Sequence, residues 1–396
     1  MKQPFAHSMM PQSDHDEQAR QDFILSFKIH MEDEVYPENK TVYRNRVLPA
    51  FVRAHNREPE TRQEIRRAME REPFTQMWGS VARTLQELLW ANVGDTVERQ
   101  LPELIERSRD KKQPLGSLSL DPDLVVPGYN ASIDIHCMPG GYHTDTADND
   151  VYAGGLYDRG AYYYVAGLMG KNAHEAQDQP NSLFLEYQSR RVIDYLKREF
   201  PDFEPKRILD MGCGTGNSTL PFAEIFSEAE VYGVDLGAPV LRYGHARAEG
   251  FGRKVHLSQQ NAERTNFPDG HFDLVVSHGL AHETSGKAVR NILKEAHRLL
   301  APGGVTLHAD PQFSMGLDLH DSFMHDWDTH YNAEPFWGTL HDIPPKKLMT
   351  DAGFAADTAR AVWMVLGPDG APSYPEVVND PALTSLARGI VFGAHK

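Results

Sequence analysis

The spacing of apolar residues divides the chain into a helical first half and a second half in which strands and helices alternate. Between residues 16 and 109, apolar positions recur every three to four residues, which is the period of an amphipathic helix. The third of four such segments carries Trp78, Val81, Leu85, Leu88 and Leu89. This half of the chain is therefore predicted to be a helical bundle.

The pattern changes at Lys206, where short apolar runs begin to alternate with helical segments. Such alternation predicts an α/β fold with a doubly wound, Rossmann-like sheet. The predicted strands cover residues 207–211, 230–235, 254–259, 272–277, 304–309, 361–366 and 389–394. Helices are predicted over residues 288–300 and from Asn181 or Ser182 to about Phe200.

These patterns predict how the chain is organised. Residues 1–15 are polar, show no periodicity and are predicted to be disordered. Residues 16–180 are predicted to form a mostly helical N-terminal domain or extension, and residues 181–396 the Rossmann-like domain. Within the first, a stretch rich in glycine and tyrosine, residues 129–170, predicts irregular backbone that either lines a ligand or packs internally.

Composition narrows the classes of function. The formal net charge of −16 would repel a phosphate backbone, and basic stretches are interleaved with acids, so we expect no nucleic-acid partner. No apolar run reaches the length of a membrane span, and the N-terminus lacks the pattern of a secretory signal, so we expect no membrane partner. The two cysteines, Cys137 and Cys213, suit a reducing compartment. We therefore predict a cytoplasmic protein.

A glycine-rich loop follows the first predicted strand. Directly after Asp210 and Met211 come Gly212, Cys213, Gly214, Thr215 and Gly216. Glycines where a strand passes into a helix allow a sharp turn and the close approach of a ligand. A dinucleotide site places its third glycine one position later, where this chain has Asn217, and a carboxylate at Asp210 would repel a pyrophosphate. The loop thus favours a cationic ligand with an amino group and a sulfonium.

A second carboxylate, Asp235, ends the next predicted strand. It lies 19 residues after Gly216 (235 − 216), close to the spacing of about 20 residues expected for a carboxylate that binds ribose hydroxyls. Asn261 and Ala262 end the third strand, and the run Phe-Pro-Asp-Gly-His-Phe-Asp-Leu-Val-Val-Ser, residues 267–277, contains the fourth. In such sheets, ligands bind at the carboxyl ends of the strands.

Together these motifs resemble the class I methyltransferases that depend on S-adenosylmethionine (SAM). The resemblance covers about Lys206 to Asp310 and, within this class, is closest to the ubiquinone and menaquinone C-methyltransferases. It is carried by the loop at 210–216, the acid at 235, the Asn-Ala step at 261–262, the run at 267–277 and Leu-Leu-Ala-Pro-Gly-Gly at 299–304. The resemblance implies an enzyme with SAM as cofactor and S-adenosylhomocysteine as product.

The resemblance also implies which residues contact the cofactor. They are Asp210, Gly212, Cys213, Gly214, Gly216, Asp235, Leu236, Asn261, Ala262 and His278. The loop and its acid would hold the methionine part of SAM, Asp235 the ribose, and Leu236 would pack on the adenine. Position 261 is more often aspartate in the family, and asparagine can accept the same hydrogen bond.

Transfer to an oxygen or carbon acceptor also requires removal of a proton, usually by histidine, glutamate or aspartate. Candidate catalytic residues follow the fourth strand of the sheet at His278, His282 and Glu283. His308 and Asp310 end the fifth strand. The stretch 320–337, rich in histidine, aspartate and aromatic residues, is predicted to form a lid that suits an aromatic or phenolic acceptor, with a solvated surface helix as the alternative.

No metal site is predicted. Histidines and aspartates lie close together in sequence between residues 136 and 150 and again between residues 320 and 330. Neither group has a recognised ligand spacing, and histidines five residues apart do not stay on one face of a helix. The sequence therefore predicts no metal ligands.

The leading hypothesis is methyl transfer from SAM to a small molecule, with O-methylation favoured and transfer to carbon, nitrogen or sulfur left open. The helical half would cap the acceptor pocket or mediate a homodimer. A SAM-binding regulator or scaffold is the alternative from another class. A dinucleotide oxidoreductase conflicts with the glycine spacing, and a base-amino methyltransferase would carry Asn-Pro-Pro-Tyr/Phe where this chain has His-Gly-Leu-Ala after Ser277.

Overall fold

The computed structural model describes residues 7–109, 113–169, 186–311, 313–366, 371–378 and 380–396. One sheet of nine strands organises this described part of the chain. The strands are β1 (Ser117–Ser119), β2 (Arg207–Met211), β3 (Glu230–Asp235), β4 (His256–Gln259), β5 (Phe272–His278), β6 (Leu300–Asp310), β7 (Arg360–Leu366), β8 (Pro372–Ser373) and β9 (Ala387–His395). The predicted α/β fold class is therefore confirmed.

The strand order explains where a ligand site forms. It is β1-β4-β3-β2-β5-β6-β9-β7-β8, parallel from β1 to β6 and antiparallel from β6 to β8. The chain runs outward from β2 through β3 to β4 and then returns to β5 on the other side of β2. This reversal opens a crevice at the carboxyl ends of β2 and β5, the usual ligand site of such sheets.

Helices cover both faces of the sheet in the second half of the chain. They are α8 (Tyr187–Glu199), α9 (Thr219–Ile225), α10 (Ala238–Gly250), α11 (Gly286–Leu299), α12 (Leu319–His325), α13 (Trp327–Tyr331), α14 (Trp337–Leu340), α15 (Pro345–Asp351) and α16 (Pro381–Leu386). The buried side of α11 packs on the sheet through Val289, Ile292 and Leu293. The helix predicted from residue 181 is described from Tyr187 onward, and its predicted cap lies outside the described residues.

The first half is helical, as its periodicity predicts. Its helices are α1 (His15–His30), α2 (Glu38–Val42), α3 (Leu48–His55), α4 (Arg62–Met69), α5 (Pro73–Arg109), α6 (Gly128–Ala131) and α7 (Tyr152–Met169), with π-helical turns at Met31–Val35 and Tyr43–Val47. The third and fourth predicted helices are one helix, α5, of 37 residues. The predicted domain boundary between residues 180 and 181 lies outside the described residues.

Two strands differ from the prediction for reasons of pairing. β6 begins at Leu300, four residues before the predicted start, because Leu300 pairs with Phe272 of β5. β1 lies in a segment predicted as a connection; it adds three residues to the edge of β4. A Cβ at Gly116 would lie 1.9 Å from the carbonyl oxygen of Val255, so only glycine permits this approach. A strand of three residues is too short to show a period of two.

The stretch rich in glycine and tyrosine was predicted to be irregular, and this is wrong for its second part, which forms α7. Its glycines are where helices touch. A Cβ at Gly154 would lie 2.3 Å from Cβ of Tyr243 on α10, and one at Gly160 would lie 2.3 Å from Cζ3 of Trp90 on α5. The glycines therefore permit close packing of α7 against its neighbours.

The helical half packs directly on the Rossmann-like sheet region. Residues from α1, α5 and α7 share one hydrophobic core with Tyr243 and Ala246 of α10. Residues 7–14, which the sequence predicts to be disordered, take part in this contact. Met9 is buried, and the imidazole of His7 lies 2.8 Å from the carboxylate of Asp158 on α7. The apolar Met9 and the buried carboxylate supply the anchoring that a periodicity analysis does not detect.

We expect Gly160→Ala to destabilise the protein. In the middle of a helix, replacing glycine by alanine normally stabilises a protein by about 0.5 to 1 kcal/mol. Here the new methyl would overlap Trp90, which is 2% exposed and whose indole N–H donates to the carbonyl of His136 at 2.7 Å. Overpacking of this kind costs about 1 to 3 kcal/mol. Denaturant unfolding measures the change, and Gly128→Ala, where no atom lies within 4 Å, is the matched control. Equal stability of the two variants would contradict the packing argument.

Among the described helices, none combines the length and the apolar character needed to cross a membrane.

Candidate active site at the carboxyl ends of β2, β3 and β5

The loop after β2 turns sharply toward β3. Its three glycines, Gly212, Gly214 and Gly216, have φ values of +75°, +49° and +78°, a region that side chains disfavour. The amide of Gly212 donates to the carbonyl of Val234 on β3 at 2.8 Å. A Cβ at Gly214 would meet no atom of the described chain within 4 Å. The backbone therefore leaves open space beside the loop for a ligand.

Asp235, at the end of β3, is held by the same loop. Its two carboxylate oxygens accept hydrogen bonds from the amides of Gly214 at 2.9 Å and Gly237 at 2.8 Å. Burial raises its pKa to about 6, although these two amides oppose the rise. Each carboxylate oxygen retains a lone pair, so the group is oriented to accept further hydrogen bonds from a diol.

Asp210 and His278 meet behind the loop. Asp210 is fully buried; its Oδ2 accepts from the hydroxyls of Ser218 at 2.5 Å and Thr219 at 2.7 Å. Its Oδ1 has no hydrogen-bond partner within the described chain, and the same is true of both ring nitrogens of His278, 3.9 Å away. Buried polar atoms without partners are costly. A ligand with an amino group and a carboxylate, such as the methionine part of SAM, fits these atoms.

The remaining predicted cofactor residues lie around this loop. The amide of Gln259, at the end of β4, donates to the carbonyl of Leu236 at 2.9 Å and fixes the turn after β3. Asn261 caps the amide of Glu263, and Ala262 is buried in the main core. Cys213 packs under Gly233, and burial raises the pKa of its thiol. Its side chain is thus a packing group, and only its backbone belongs to the loop surface.

Two of the predicted catalytic residues, His282 and Glu283, belong to a buried cluster with a residue from the helical half. Nε2 of His136 lies 2.9 Å from Oε1 of Glu283, and Nδ1 of the same ring lies 2.8 Å from Oε1 of Glu334. Nε2 of His282 lies 3.9 Å from both Glu283 and Glu334. Burial by itself lowers the pKa of His136, but the two carboxylates outweigh it and raise the pKa well above its usual value.

Neighbouring side chains tie this cluster to the sheet and to the cofactor loop. Asp310, at the end of β6, accepts from Nδ1 of His282 at 2.8 Å and is fully buried. The hydroxyl of Tyr142 donates to Glu283 at 3.1 Å, and the carbonyl of Tyr142 lies where a Cβ at Gly237 would be. Gly237 also binds Asp235, so Tyr142 connects the cluster with the predicted ribose site.

The backbone of His136 adopts an unusual conformation. His136 and Cys137 have φ values of +56° and +59°, in the left-handed region where non-glycine residues pay about 1 to 3 kcal/mol. The carbonyl of His136 accepts from the amide of Gln86 at 2.9 Å and from the indole of Trp90 at 2.7 Å, both on α5. Helix α5 therefore holds the imidazole in place.

A cavity of about 190 Å³ lies between the helical half and the chain after β6. Its walls include Tyr36, Trp78, Tyr164, Trp327 and Trp337. Three lining residues touch the cluster. Asn332 donates to Glu334 at 2.7 Å, the hydroxyl of Tyr164 lies 3.4 Å from the same carboxylate, and the ring of Trp337 lies 5.4 Å from that of His282. These three residues therefore link the wall of the cavity to the cluster.

The structure separates the residues that the sequence grouped as candidate bases. His282, Glu283 and Asp310 meet in the cluster, whereas His278 lies beside Asp210 and His308 is buried between the hydroxyls of Ser277 and Thr306. Burial lowers the pKa of His308 to about 3. The predicted lid contributes Trp327 and Trp337 to the cavity. Glu334 and Tyr142 were not predicted as site residues, because each is distant in sequence from the motifs that it joins.

A comparison with known families identifies the domain that contains this sheet. The family described as "Methyltransferase domain" matches residues 208–304, which run from β2 to the start of β6. The chain carries a class I SAM-dependent methyltransferase domain. SAM is the cofactor of this class, and the predicted resemblance is confirmed.

Curated relatives match the methyltransferase domain. Demethylmenaquinone methyltransferase of Thermus thermophilus is 39% identical over 116 residues, which are 29% of this chain and 50% of that protein. The ubiquinone/menaquinone biosynthesis C-methyltransferase of Shewanella sp. strain ANA-3 is 30% identical over 168 residues, 37% of this chain and 66% of that protein. The chain thus spans half to two thirds of the length of these relatives.

A solved structure also aligns with the chain. It is a SAM-dependent methyltransferase of Thermotoga maritima, described as a possible histamine N-methyltransferase. It is 19% identical, covers 54% of this chain and 92% of its own, and has a TM-score of 0.38.

We expect the affinity of the methyltransferase domain for SAM to fall at low pH. The ionised Asp235 accepts hydrogen bonds better than the acid, and its pKa is about 6 in the ligand-free protein. Affinity should be full above this value and fall about tenfold one pH unit below it. Calorimetric titration across this range measures the change. Asp235→Asn, which cannot titrate, should bind weakly at every pH; an equal slope in both proteins would show that another group is responsible.

Proposed function

We propose that this chain transfers a methyl group from SAM to an oxygen of a small aromatic acceptor. The observation that supports this proposal most is the position of the His136–His282–Glu283 cluster. Tyr142 links this cluster to the Asp235 loop, where the cofactor is expected. Asn332, Tyr164 and Trp337 link it to the wall of the cavity of about 190 Å³. Methyl transfer requires an acceptor and the sulfonium in line, and a cluster linked to both regions is placed to provide that alignment.

The cavity suits a single substituted ring. An apolar cavity of about 150 Å³ is known to bind benzene, so about 190 Å³ leaves room for one or two substituents. Indole and phenol rings from Trp78, Trp337 and Tyr164 supply surfaces on which an aromatic acceptor can stack. Burial raises the pKa of Glu32 to about 7 and also raises that of Asp328, so these carboxyl groups can donate hydrogen bonds to acceptor oxygens.

The residues of the chain divide the chemistry between them. SAM supplies an already activated methyl group, so the main task of the protein is to align the acceptor. Asp235 and Asp210 would orient the two ends of the cofactor. The cluster brings two imidazole nitrogens and a carboxylate oxygen within 4.8 Å of one another. The imidazoles can donate hydrogen bonds to the acceptor oxygen, and the carboxylate of Glu283 can receive its proton.

Transfer to carbon is the second candidate. The Shewanella relative is named as a C-methyltransferase of ubiquinone and menaquinone biosynthesis. The carbon next to a phenol oxygen becomes nucleophilic when that oxygen loses its proton, so the same cluster can serve either reaction. The position of the labelled methyl group in the product distinguishes transfer to oxygen from transfer to carbon.

The experiment that tests the proposal uses SAM with a labelled methyl group. The full chain is incubated with SAM and a panel of one-ring phenols, catechols and hydroxyquinols, and the products are analysed by mass spectrometry. We expect label on oxygen of at least one acceptor. Label on carbon would favour the second candidate. SAM binding without transfer to any member of this panel, or of a second panel of amines and thiols, would favour the non-catalytic regulator or scaffold.

Three further expectations stay proposals: a small-molecule acceptor as the partner, without nucleic acid or membrane; a homodimer as the oligomeric state to test; and a cytoplasmic location. Cys137 and Cys213 are both free and buried, which is compatible with the last. Light scattering and cell fractionation measure the last two directly.

A further inference from the structure

We propose that His136, His282 and Glu283 bind a divalent transition-metal ion, and that this ion holds the acceptor oxygen. The role toward the acceptor rests on the proposed function, whereas binding of the ion does not. The sequence predicted no metal, because His136 lies 146 residues before His282 (282 − 136) and no ligand spacing relates them. The fold brings the two together.

The donor atoms meet at one point. One ligand atom from each of the three residues lies within 4.8 Å of the other two. Nε2 of His136 is 2.9 Å from Oε1 of Glu283, and Nε2 of His282 is 3.9 Å from the same oxygen. Donors about 2.1 Å from a shared ion lie about 3 to 4 Å apart, so small shifts would complete the site. The ion would replace the proton that His136 shares with Glu283.

The second nitrogen of each histidine supports this assignment. Nδ1 of His136 lies 2.8 Å from Glu334, and Nδ1 of His282 lies 2.8 Å from Asp310. A carboxylate behind each ring is the usual arrangement in metal sites, because it fixes the tautomer with Nε2 free and raises its basicity as a ligand. Two histidines with this arrangement, with their Nε2 atoms close to one carboxylate, are a stronger indication than the three residues alone.

Buried oxygens without partners give an independent indication. Oε2 of Glu334 and Oδ2 of Asp310 make no hydrogen bond within the described chain, and the two side chains are 1% and 0% exposed. Oε2 of Glu334 lies 3.9 Å from Nε2 of His282, so it points to the same space as the donors. Three carboxylates in a buried site require positive charge, which protons on the imidazoles supply in the free protein and which a divalent ion would supply when it replaces them.

The donor set indicates the kind of ion. Two imidazoles and one carboxylate suit Zn²⁺, Fe²⁺, Mn²⁺ or Co²⁺, and three protein ligands leave positions for an exogenous oxygen. An ion at this place would lower the pKa of a bound hydroxyl and so favour the oxyanion that accepts the methyl group. The acceptor class that follows is a phenol or catechol.

A second group of possible ligands serves as a control. Asp318, His320 and Asp321 also have donor atoms within 4.8 Å of one another. There, the ammonium group of Lys40 already lies 3.0 Å from Asp318 and 2.6 Å from Asp321. A cation is thus supplied by the chain itself, and we expect no tight ion binding at that group.

The test measures ion binding in the full chain without SAM or acceptor. Protein treated with a chelator is titrated with Zn²⁺ and Mn²⁺, and Co²⁺ absorption reports the ligands. We expect one ion per chain, an affinity at least about 100-fold weaker in Glu283→Gln, and a loss of about 10- to 100-fold in Asp310→Asn, a positioning residue. The control Asp321→Asn should match the wild type. His282→Asn should change the Co²⁺ spectrum, which a purely structural defect would not do selectively.

Two outcomes would overturn the proposal: no stoichiometric ion in the wild type, or unchanged affinity in folded Glu283→Gln. The assay with labelled SAM distinguishes a failure of the ion proposal from a failure of the proposed function. Undiminished transfer by chelated wild-type protein would overturn the role of the ion and leave the proposed function standing. Ion binding without transfer to any acceptor would overturn the proposed function and leave the ion site standing.

Discussion

Asp235→Ala should abolish most of the affinity for SAM, with a loss of at least about 100-fold. In the free protein the carboxylate accepts the amides of Gly214 and Gly237. It would also accept both ribose hydroxyls, and hydrogen bonds to a charged group contribute about 1.5 to 3 kcal/mol each. Alanine removes these bonds and leaves two amides without their partner. Isothermal titration with SAM and S-adenosylhomocysteine measures the change.

Two variants frame this result. Asp235→Asn keeps the shape and one acceptor oxygen, so its loss should be smaller than that of alanine. Asp351→Ala, on the surface of α15 with an ion pair to Lys347, should bind SAM like the wild type. If folded Asp235→Ala bound SAM with wild-type affinity, this would contradict the prediction that Asp235 binds the ribose. It would also contradict the cofactor role assigned to the loop after β2.

His282→Asn should lower the rate of methyl transfer about 10²- to 10⁴-fold without changing the affinity for SAM. The amide of asparagine can take the place of Nδ1 and keep the bond to Asp310, but it has no atom at the position of Nε2. Loss of this one nitrogen removes a group that holds the acceptor, whether it acts as a base or as a ligand of an ion. Single-turnover kinetics with labelled SAM measure the rate.

His282→Gln is the matched variant, because its longer side chain places an amide near Nε2 and gives up the bond to Asp310. If contact between Nε2 and the acceptor is the more important role, His282→Gln should retain more activity than His282→Asn. If orientation by Asp310 is the more important role, His282→Gln should retain less activity than His282→Asn. A variant His282→Asn with full activity would contradict the assignment of the cluster. His278→Asn then tests the other predicted base, which lies beside Asp210.

The loop and the carboxylate that are expected to bind the cofactor could be located from the sequence because the constraints on them are local. Gly212, Gly214 and Gly216 need positive φ values within five residues, and Asp235 follows at a spacing fixed by one strand–helix–strand unit. These constraints act over short distances along the chain, so they leave a readable pattern. The parallel order of β2 to β6 follows from the same alternation.

The acceptor half could not be predicted because its residues come from distant segments. His136, Glu283 and Glu334 meet through the packing of α5 and α7 against the chain after β6. No periodicity or spacing encodes such contacts. The prediction of irregular backbone at α7 was wrong for a similar reason, because Gly154 and Gly160 permit close helix packing and do not form a turn. A small residue has both uses, and only its neighbours distinguish them.

The bonds from Gln86 and Trp90 to the carbonyl of His136 have an evolutionary consequence. They connect one group of the proposed acceptor site to α5, which lies outside the methyltransferase domain shared with relatives. Under the proposed function, substitutions in the helical half would alter which acceptor is used while recognition of the methyl donor is inherited unchanged. New acceptor specificities would arise in such a lineage by diversification of residues 16–169, and not by changes in the loop after β2.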